Sequence, residues 1–355
     1  MAIDYKTEID SLFETVIAEG ASDLHLSSDM NPIIRVSGSL IPLVKRQKFT
    51  SNDISAFLDV MTTPEKKKLF LETQELDFSV QYKDLARFRG NAFFERGTIS
   101  IALRMIPREI KTLDQLQLPP ILETFTQLQQ GFFLVVGPVG QGKSTTLAAM
   151  IEMINQTRTE HIITIENPIE YLFESKRSIV AQREVKVDTQ SFRNALTSAF
   201  REDVDVIMVG EMRGPDTMAA AVTAAETGHL VLSTLHTNNA AQTIDRIIDT
   251  FPPGQQDQIR IQLAASLAGI FSQRLIPRIS GGLIPAYELL INNEAIANLI
   301  RDKRTHEINS VIETGMESGM IDMNRSLAEL VRRGEITPEN ALSRSLNPKA
   351  FSKIL

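Results

Sequence analysis

The sequence predicts an α+β domain followed by an α/β domain that ends in a helical region. Three observations predict it. Ahead of residue 105, apolar residues switch between helical spacing and short, partly alternating runs. Residues 106–120, Ile-Pro-Arg-Glu-Ile-Lys-Thr-Leu-Asp-Gln-Leu-Gln-Leu-Pro-Pro, are a polar stretch framed by prolines, as a linker would be. Beyond it, four apolar runs are separated by helix-compatible segments, the pattern of a parallel sheet covered by helices. The boundary falls near residue 110, giving domains 1–110 and 111–355, and 355 residues suffice for two cores of ordinary size.

Taken in order, Ile9, Leu12, Phe13, Val16 and Ile17 recur at helical spacing and give a first helix that stops at Gly20. Residues 23–26, 32–36 and 40–44 are short strands, the last two joined by a Ser37-Gly38 turn. Thr63-Pro64 opens a helix, because a threonine can cap free amides and a proline suits the first turn, where no donor is needed. Strand character returns at 78–82, 86–94 and 98–105. In the second domain the apolar runs are 132–136, 161–165, 204–209 and 230–235. From about 255 the pattern is mostly helical, with a break at Ser280-Gly281-Gly282.

The first of these apolar runs flows into Gly137-Pro138-Val139-Gly140-Gln141-Gly142-Lys143-Ser144-Thr145, a G-x-x-x-x-G-K-S loop. Its glycines let the backbone aim N–H groups at a polyphosphate. Lys143 supplies positive charge, the Ser144 hydroxyl can ligate Mg²⁺, and Leu147, Ile151 and Ile154 give the following helix an apolar stripe. The second domain is therefore expected to bind a nucleotide.

Candidate chemistry sits at the ends of the other runs, where ligands bind in open α/β sheets. Glu166 follows the second run and either orients an attacking water or is a solvated loop acid. The third run, Val206-Ile207-Met208-Val209-Gly210-Glu211, ends in a carboxylate. Burying that charge unpaired costs several kcal/mol, roughly, so Glu211 should face Mg²⁺ in the Walker B manner or pair in the core. The fourth run has His229 at its start and His236 at its end, so both cannot easily reach one phosphate. A zinc site is disfavoured by this spacing, and a γ-phosphate-sensing role for His229 does not follow from spacing alone. In the first domain, Arg87, Arg89, Arg96 and Arg104 are either solvent-facing strand residues or guanidiniums offered to another domain or subunit. In phosphoryl transfer such an arginine is worth about 10³ to 10⁵ in rate. Arg87-Phe88-Arg89 with Phe93-Phe94 could stack single-stranded nucleic acid, but the phenylalanines suit core packing better.

Composition narrows the classes. A net charge of -7 counts against nonspecific nucleic-acid binding, and no nucleic-acid partner is expected. The absence of cysteine excludes a disulfide framework and a cysteine zinc site, and suits a reducing compartment. The first residues mix acids into their turns, unlike a secretory signal, and no stretch reaches the roughly 18 apolar residues of a membrane span. A cytoplasmic location is the expectation.

Together, residues 137–146, Ile163-Thr164-Ile165-Glu166-Asn167-Pro168-Ile169-Glu170-Tyr171, Gln182-Arg183-Glu184-Val185, Val209-Gly210-Glu211-Met212-Arg213 and Thr227-Gly228-His229-Leu230 closely resemble the type II/IV secretion ATPases. Ala21-Ser22-Asp23-Leu24-His25 and Ser272-Gln273-Arg274-Leu275 extend the resemblance over nearly the whole chain. It implies a PAS-like first domain, a RecA-like second domain, ATP and Mg²⁺ as cofactors, and a ring of six subunits with ATP between the two domains of each. It places the family's catalytic glutamate on Glu166, its Walker B glutamate on Glu211 and its histidine-box residue on His229. The arginines that complete a neighbour's site fall on Arg89 and Arg104.

A chain of 355 residues without cysteine resembles the pilus-retraction branch rather than the extension branch, which carries an extra N-terminal domain and a four-cysteine zinc element. That branch implies a motor for pilus retraction and twitching motility, peripheral at the inner membrane. Its partners would be an inner-membrane platform protein and a paralogous retraction ATPase. Three positions depart from the family pattern: Asn167 and Gly214 each replace an aspartate, and Ala297 replaces an arginine in Ala295-Ile296-Ala297-Asn298-Leu299-Ile300-Arg301. Asn167 and Ala297 leave a second reading, a low-turnover accessory ring that regulates a paralogous motor. A nucleic-acid translocase on the RecA-like core is a third. A small-molecule kinase fits least, since nothing beyond the loop suggests an acceptor pocket.

Overall fold

The computed structural model describes residues 4–36, 38–83, 85–106, 109–212 and 214–355. Ser37 of the expected turn, Pro107 and Arg108 of the expected linker, and Arg213 beside Glu211 lie outside the described residues. The chain divides into two compact units that meet between Glu109 and Ile110.

In the first unit a helix, Tyr5–Ala18, starts where the Asp4 carboxylate accepts from the amides of Lys6 and Thr7. Six strands follow: β1 (Asp23–Leu26), β2 (Ile33–Val36), β3 (Ser39–Pro42), β4 (Glu75–Tyr82), β5 (Ala86–Glu95) and β6 (Thr98–Ile106). They form one antiparallel sheet in the order β3-β2-β1-β6-β5-β4. Strand alternation sends Leu24, Leu103 and Phe88 to one face, where they pack with Leu12, Phe13 and Val16 of the first helix. The helix Pro64–Thr73 begins at Thr63 as the sequence suggests, the Thr63 hydroxyl accepting from the Lys66 amide. A further helix, Ser51–Met61, buries Ile54, Phe57 and Leu58 in the same core. Its signal is a capping box in which Thr50 and Asp53 satisfy each other's amides.

The second unit holds seven strands: β7 (Gly131–Val136), β8 (His161–Glu166), β9 (Ile179–Glu184), β10 (Val206–Val209), β11 (Leu230–Leu235), β12 (Leu267–Pro277) and β13 (Leu283–Ile291). Their order is β13-β12-β7-β11-β10-β8-β9, parallel throughout except for β13, which runs antiparallel to β12. The apolar runs of the sequence are the inner strands: every residue of β7, β10 and β11 is buried. Phe133 and Val135 meet Leu147, Ile151 and Ile154 of the helix Lys143–Thr157 on one face. On the other, Phe132 and Leu134 share a core with the helices Pro215–Glu226, Ala240–Asp249 and Pro253–Ser266.

The region from about 255 is helical at both ends but not between. The helix Pro253–Ser266 runs directly into β12, and Gly281 and Gly282, both at positive φ, turn the chain into β13. Helices resume at Glu294–Arg301 and continue to Pro348–Phe351. Most of β12 and β13 is buried, so neither strand shows the polar alternation that betrays a half-buried strand.

Candidate nucleotide-binding site

The glycine-rich loop joins the carboxyl end of β7 to the helix Lys143–Thr157, with Gly137, Gly140 and Gly142 at positive φ. Gly137 is held by space as well as by φ, since a Cβ there would run into the Gln273 carbonyl oxygen. β12 braces the loop through side chains. Gln273 Oε1 accepts from Thr146 Oγ1 at 2.7 Å, and its Nε2 donates to the Gln141 carbonyl at 2.8 Å. Gln141 Oε1 in turn accepts from the Leu275 amide at 2.8 Å. On the far side, Thr145 Oγ1 and the Tyr171 hydroxyl lie 2.8 Å apart. Lys143 is buried, its Nζ donating to the carbonyls of Gly137 and Pro138 at 2.9 and 2.8 Å. Burial lowers the Lys143 pKa, and the charges of Glu170 and Glu211 pull it partly back.

Strand order decides what gathers around that loop. β11 lies beside β7, then β10, then β8, so the residues leaving these strands follow one another along the carboxyl edge. His236, just past β11, puts Nδ1 at 3.3 Å from Lys143 Nζ. Glu211 leaves β10 two residues after Val209, close enough to bear on the charge of Lys143. Glu166 ends β8 and is 4% exposed. Burial pushes its carboxyl up to about 7, against the pull of hydrogen bonds from the Glu170 amide at 3.0 Å, Thr164 Oγ1 at 2.7 Å and Gln182 Nε2 at 3.3 Å. Gln182 Nε2 also donates to the Tyr171 carbonyl at 2.7 Å, so β9 fixes the loop that carries Tyr171 to Thr145.

Of the sequence candidates, the loop residues 137–145, Glu166 and Glu211 lie along this edge. His229 does not. It precedes β11, where its carbonyl accepts from the Gly131 amide and its Nδ1 lies 3.0 Å from the Ala224 carbonyl oxygen. Six strand residues separate it from the loop edge, roughly 20 Å at the rise of a β-strand. The histidine beside Lys143 is His236. Arg89 and Arg104 belong to the first unit and face each other directly across β5 and β6. Asn167 and Gly214 occupy loops after β8 and β10, and Ala297 is buried on the inner face of its helix. Sequence reasoning missed Gln182 and Gln273, and it did not foresee the bonds that tie Gln141 to β12, because these depend on what stands opposite. Gln182 and Gln273 do fall within the quoted family segments.

A glycine-rich loop between a central parallel strand and a helix, with carboxylates at the ends of two nearby strands, defines a P-loop nucleoside triphosphatase. A family model for the type II/IV secretion system protein matches residues 5–333, and the chain belongs to that family. It is 44% identical over 322 residues to a twitching motility protein of Neisseria gonorrhoeae, covering 90% of this chain and 86% of that protein. It is 43% identical over 349 residues to the type IV pilus retractation ATPase PilT of Pseudomonas aeruginosa, covering 97% of this chain and 100% of that protein. Identity to the type IV pilus ATPase PilU of Pseudomonas aeruginosa is 39%, over 95% of this chain and 88% of that protein. The crystal structure of the pilus retraction motor PilT with bound ADP matches with a TM-score of 0.91 at 44% identity, covering 97% of this chain and 99% of that one.

Proposed function

We propose that this chain is a motor ATPase of type IV pilus retraction. The observation that carries the reading is the convergence of Lys143, Glu166, Glu211 and His236 on the carboxyl edge of one sheet. The chain that builds this edge is 43–44% identical, over 90–97% of its length, to proteins named for retraction and twitching. It binds and hydrolyses ATP.

The residues divide the work by position. The loop amides and Lys143 take the phosphates, Lys143 exchanging its bonds to the Gly137 and Pro138 carbonyls for phosphate oxygens. Ser144 and Glu211 are hard oxygen donors that fit Mg²⁺. Among the described residues no group of three His, Cys, Asp or Glu gathers to hold a metal, which suits an ion ligated largely by phosphate and water. That ion, when bound, neutralises charge developing on the phosphoryl oxygens. Glu166 is the general base: a carboxyl near pH 7 matches removal of a proton from water at neutral pH. His236 contacts the γ-phosphate region, in place of the expected His229. Arg89 and Arg104 act on the nucleotide of an adjacent subunit in a six-membered ring, and the ring works on an inner-membrane platform protein, beside a paralogous ATPase. No helix among the described residues is long and apolar enough to cross a membrane.

The accessory-ring reading rests on Asn167 and Ala297. The small side chain of Ala297 fits its buried position, and identity to PilU is lower than to PilT, so the motor reading is preferred. Deletion in the native host tests it: surplus pili that never shorten are expected, and loss of pili would overturn the reading. Steady-state turnover by the purified ring separates the motor from an accessory ring.

A further inference from the structure

We propose that Asp23 is a positioning residue of the reaction, its carboxylate aiming the Arg104 guanidinium outward toward a neighbouring subunit's nucleotide phosphates. The inference rests on the reading of Arg104 as an arginine acting between subunits.

Strand register lines up Ser79, Arg89, Arg104, Asp23 and Arg35 in one row across β4, β5, β6, β1 and β2. Asp23 is the one carboxylate in that row. Its Oδ1 accepts from Arg104 Nε at 2.9 Å, and Arg104 makes no other hydrogen bond among the described residues. The bond therefore takes the inner edge of the guanidinium and leaves both Nη groups, the pair that matches two phosphate oxygens. The carboxylate is fixed from its other side. Oδ2 accepts from Ser22 Oγ at 2.7 Å and lies 3.7 Å from Arg35 Nε.

Exposure divides the pair in the same sense. The Asp23 side chain is 9% exposed and the Arg104 side chain 71%. An ion pair so open on the arginine side contributes little to stability, which leaves direction as its main effect. Direction matters because Arg89 stands directly opposite Arg104, and like charges at facing strand positions repel. Asp23, on the opposite flank, keeps Arg104 from swinging away.

The test compares ATP turnover of full-length Arg104→Ala, Asp23→Asn and the double variant. Arg104→Ala is expected to lower kcat by about 10³ or more. Asp23→Asn should lower kcat by roughly 10-fold to 100-fold with KM for ATP and melting temperature unchanged, the scale of a misplaced catalytic group. The double variant should be no worse than Arg104→Ala alone. Asp23→Asn with wild-type kcat, or an independent additive loss in the double variant, overturns the inference. Wild-type turnover by Arg104→Ala overturns the underlying reading of Arg104 instead. If Asp23→Asn does not fold, Asp23→Glu keeps the charge while displacing the guanidinium by one methylene. A several-fold fall in its kcat at unchanged KM supports the proposal, and an unchanged kcat overturns it.

Discussion

Glu166 carries opposite demands. Its carboxylate must be ionised to take a proton from water, yet burial raises its pKa from 4.5 to about 7. With the folded pKa above the unfolded one, the group's favourable contribution is complete below pH 4.5 and is lost as pH rises to about 7. Above that, a buried charge is a standing cost. Glu166→Gln should therefore lower turnover by about 10² or more while raising the melting temperature at pH 8 by a few degrees. Calorimetry and steady-state turnover on one preparation check both halves. The wild-type kcat should fall with pH through an acid limb near 7, and a flat profile from pH 6 to 8 would remove Glu166 as the base. The two histidines give a second residue-scale prediction. His236→Ala should lower kcat by 10-fold or more, of the order of losing one hydrogen-bond donor at the transition state, while His229→Ala leaves it within about twofold.

β12 acts on the site as an element. Gln273 points to the phosphate loop, while Ser272 donates to the Asn238 carbonyl and Arg274 to Asn238 Oδ1, holding the turn that follows His236. On β13, buried Glu288 accepts from the Ala240 amide at the start of the next helix. The strand pair thus sets the loop and the histidine segment in one frame. Gln273→Ala removes two bonds from the loop at once and should cost about 1–3 kcal/mol in stability and raise KM for ATP more than it lowers kcat. Chemical denaturation and initial-rate kinetics measure the two effects. Gly137→Ala is more severe, because the added methyl meets backbone rather than a movable side chain. Loss of nucleotide binding is its expected outcome, read by equilibrium titration with a fluorescent nucleotide.

At the scale of the whole molecule, Lys143 and Arg104 belong to different compact units. If Arg104 serves a neighbour's nucleotide, rings of Lys143→Ala subunits and rings of Arg104→Ala subunits should each be inactive. A mixture should recover part of the turnover, since some sites then combine an intact loop with an intact arginine. Absence of recovery after verified subunit exchange would place Arg104 outside the shared site.

The sequence by itself determined the nucleotide loop, the strands β7, β8, β10 and β11 that carry it and its carboxylates, and the family. Those features are local: a loop needs consecutive residues, and a strand buried on both faces needs an unbroken apolar run. Only the tertiary structure decided which histidine meets Lys143, because that depends on whether β11 ends or begins beside β7. It also decided that β12 and β13 are strands and that Gln273 and Gln182 brace the site. Gln273 is a polar residue in a long, mostly buried strand and Gln182 one in a short, half-buried strand, and both acquire meaning only from the partners that parallel packing brings opposite them.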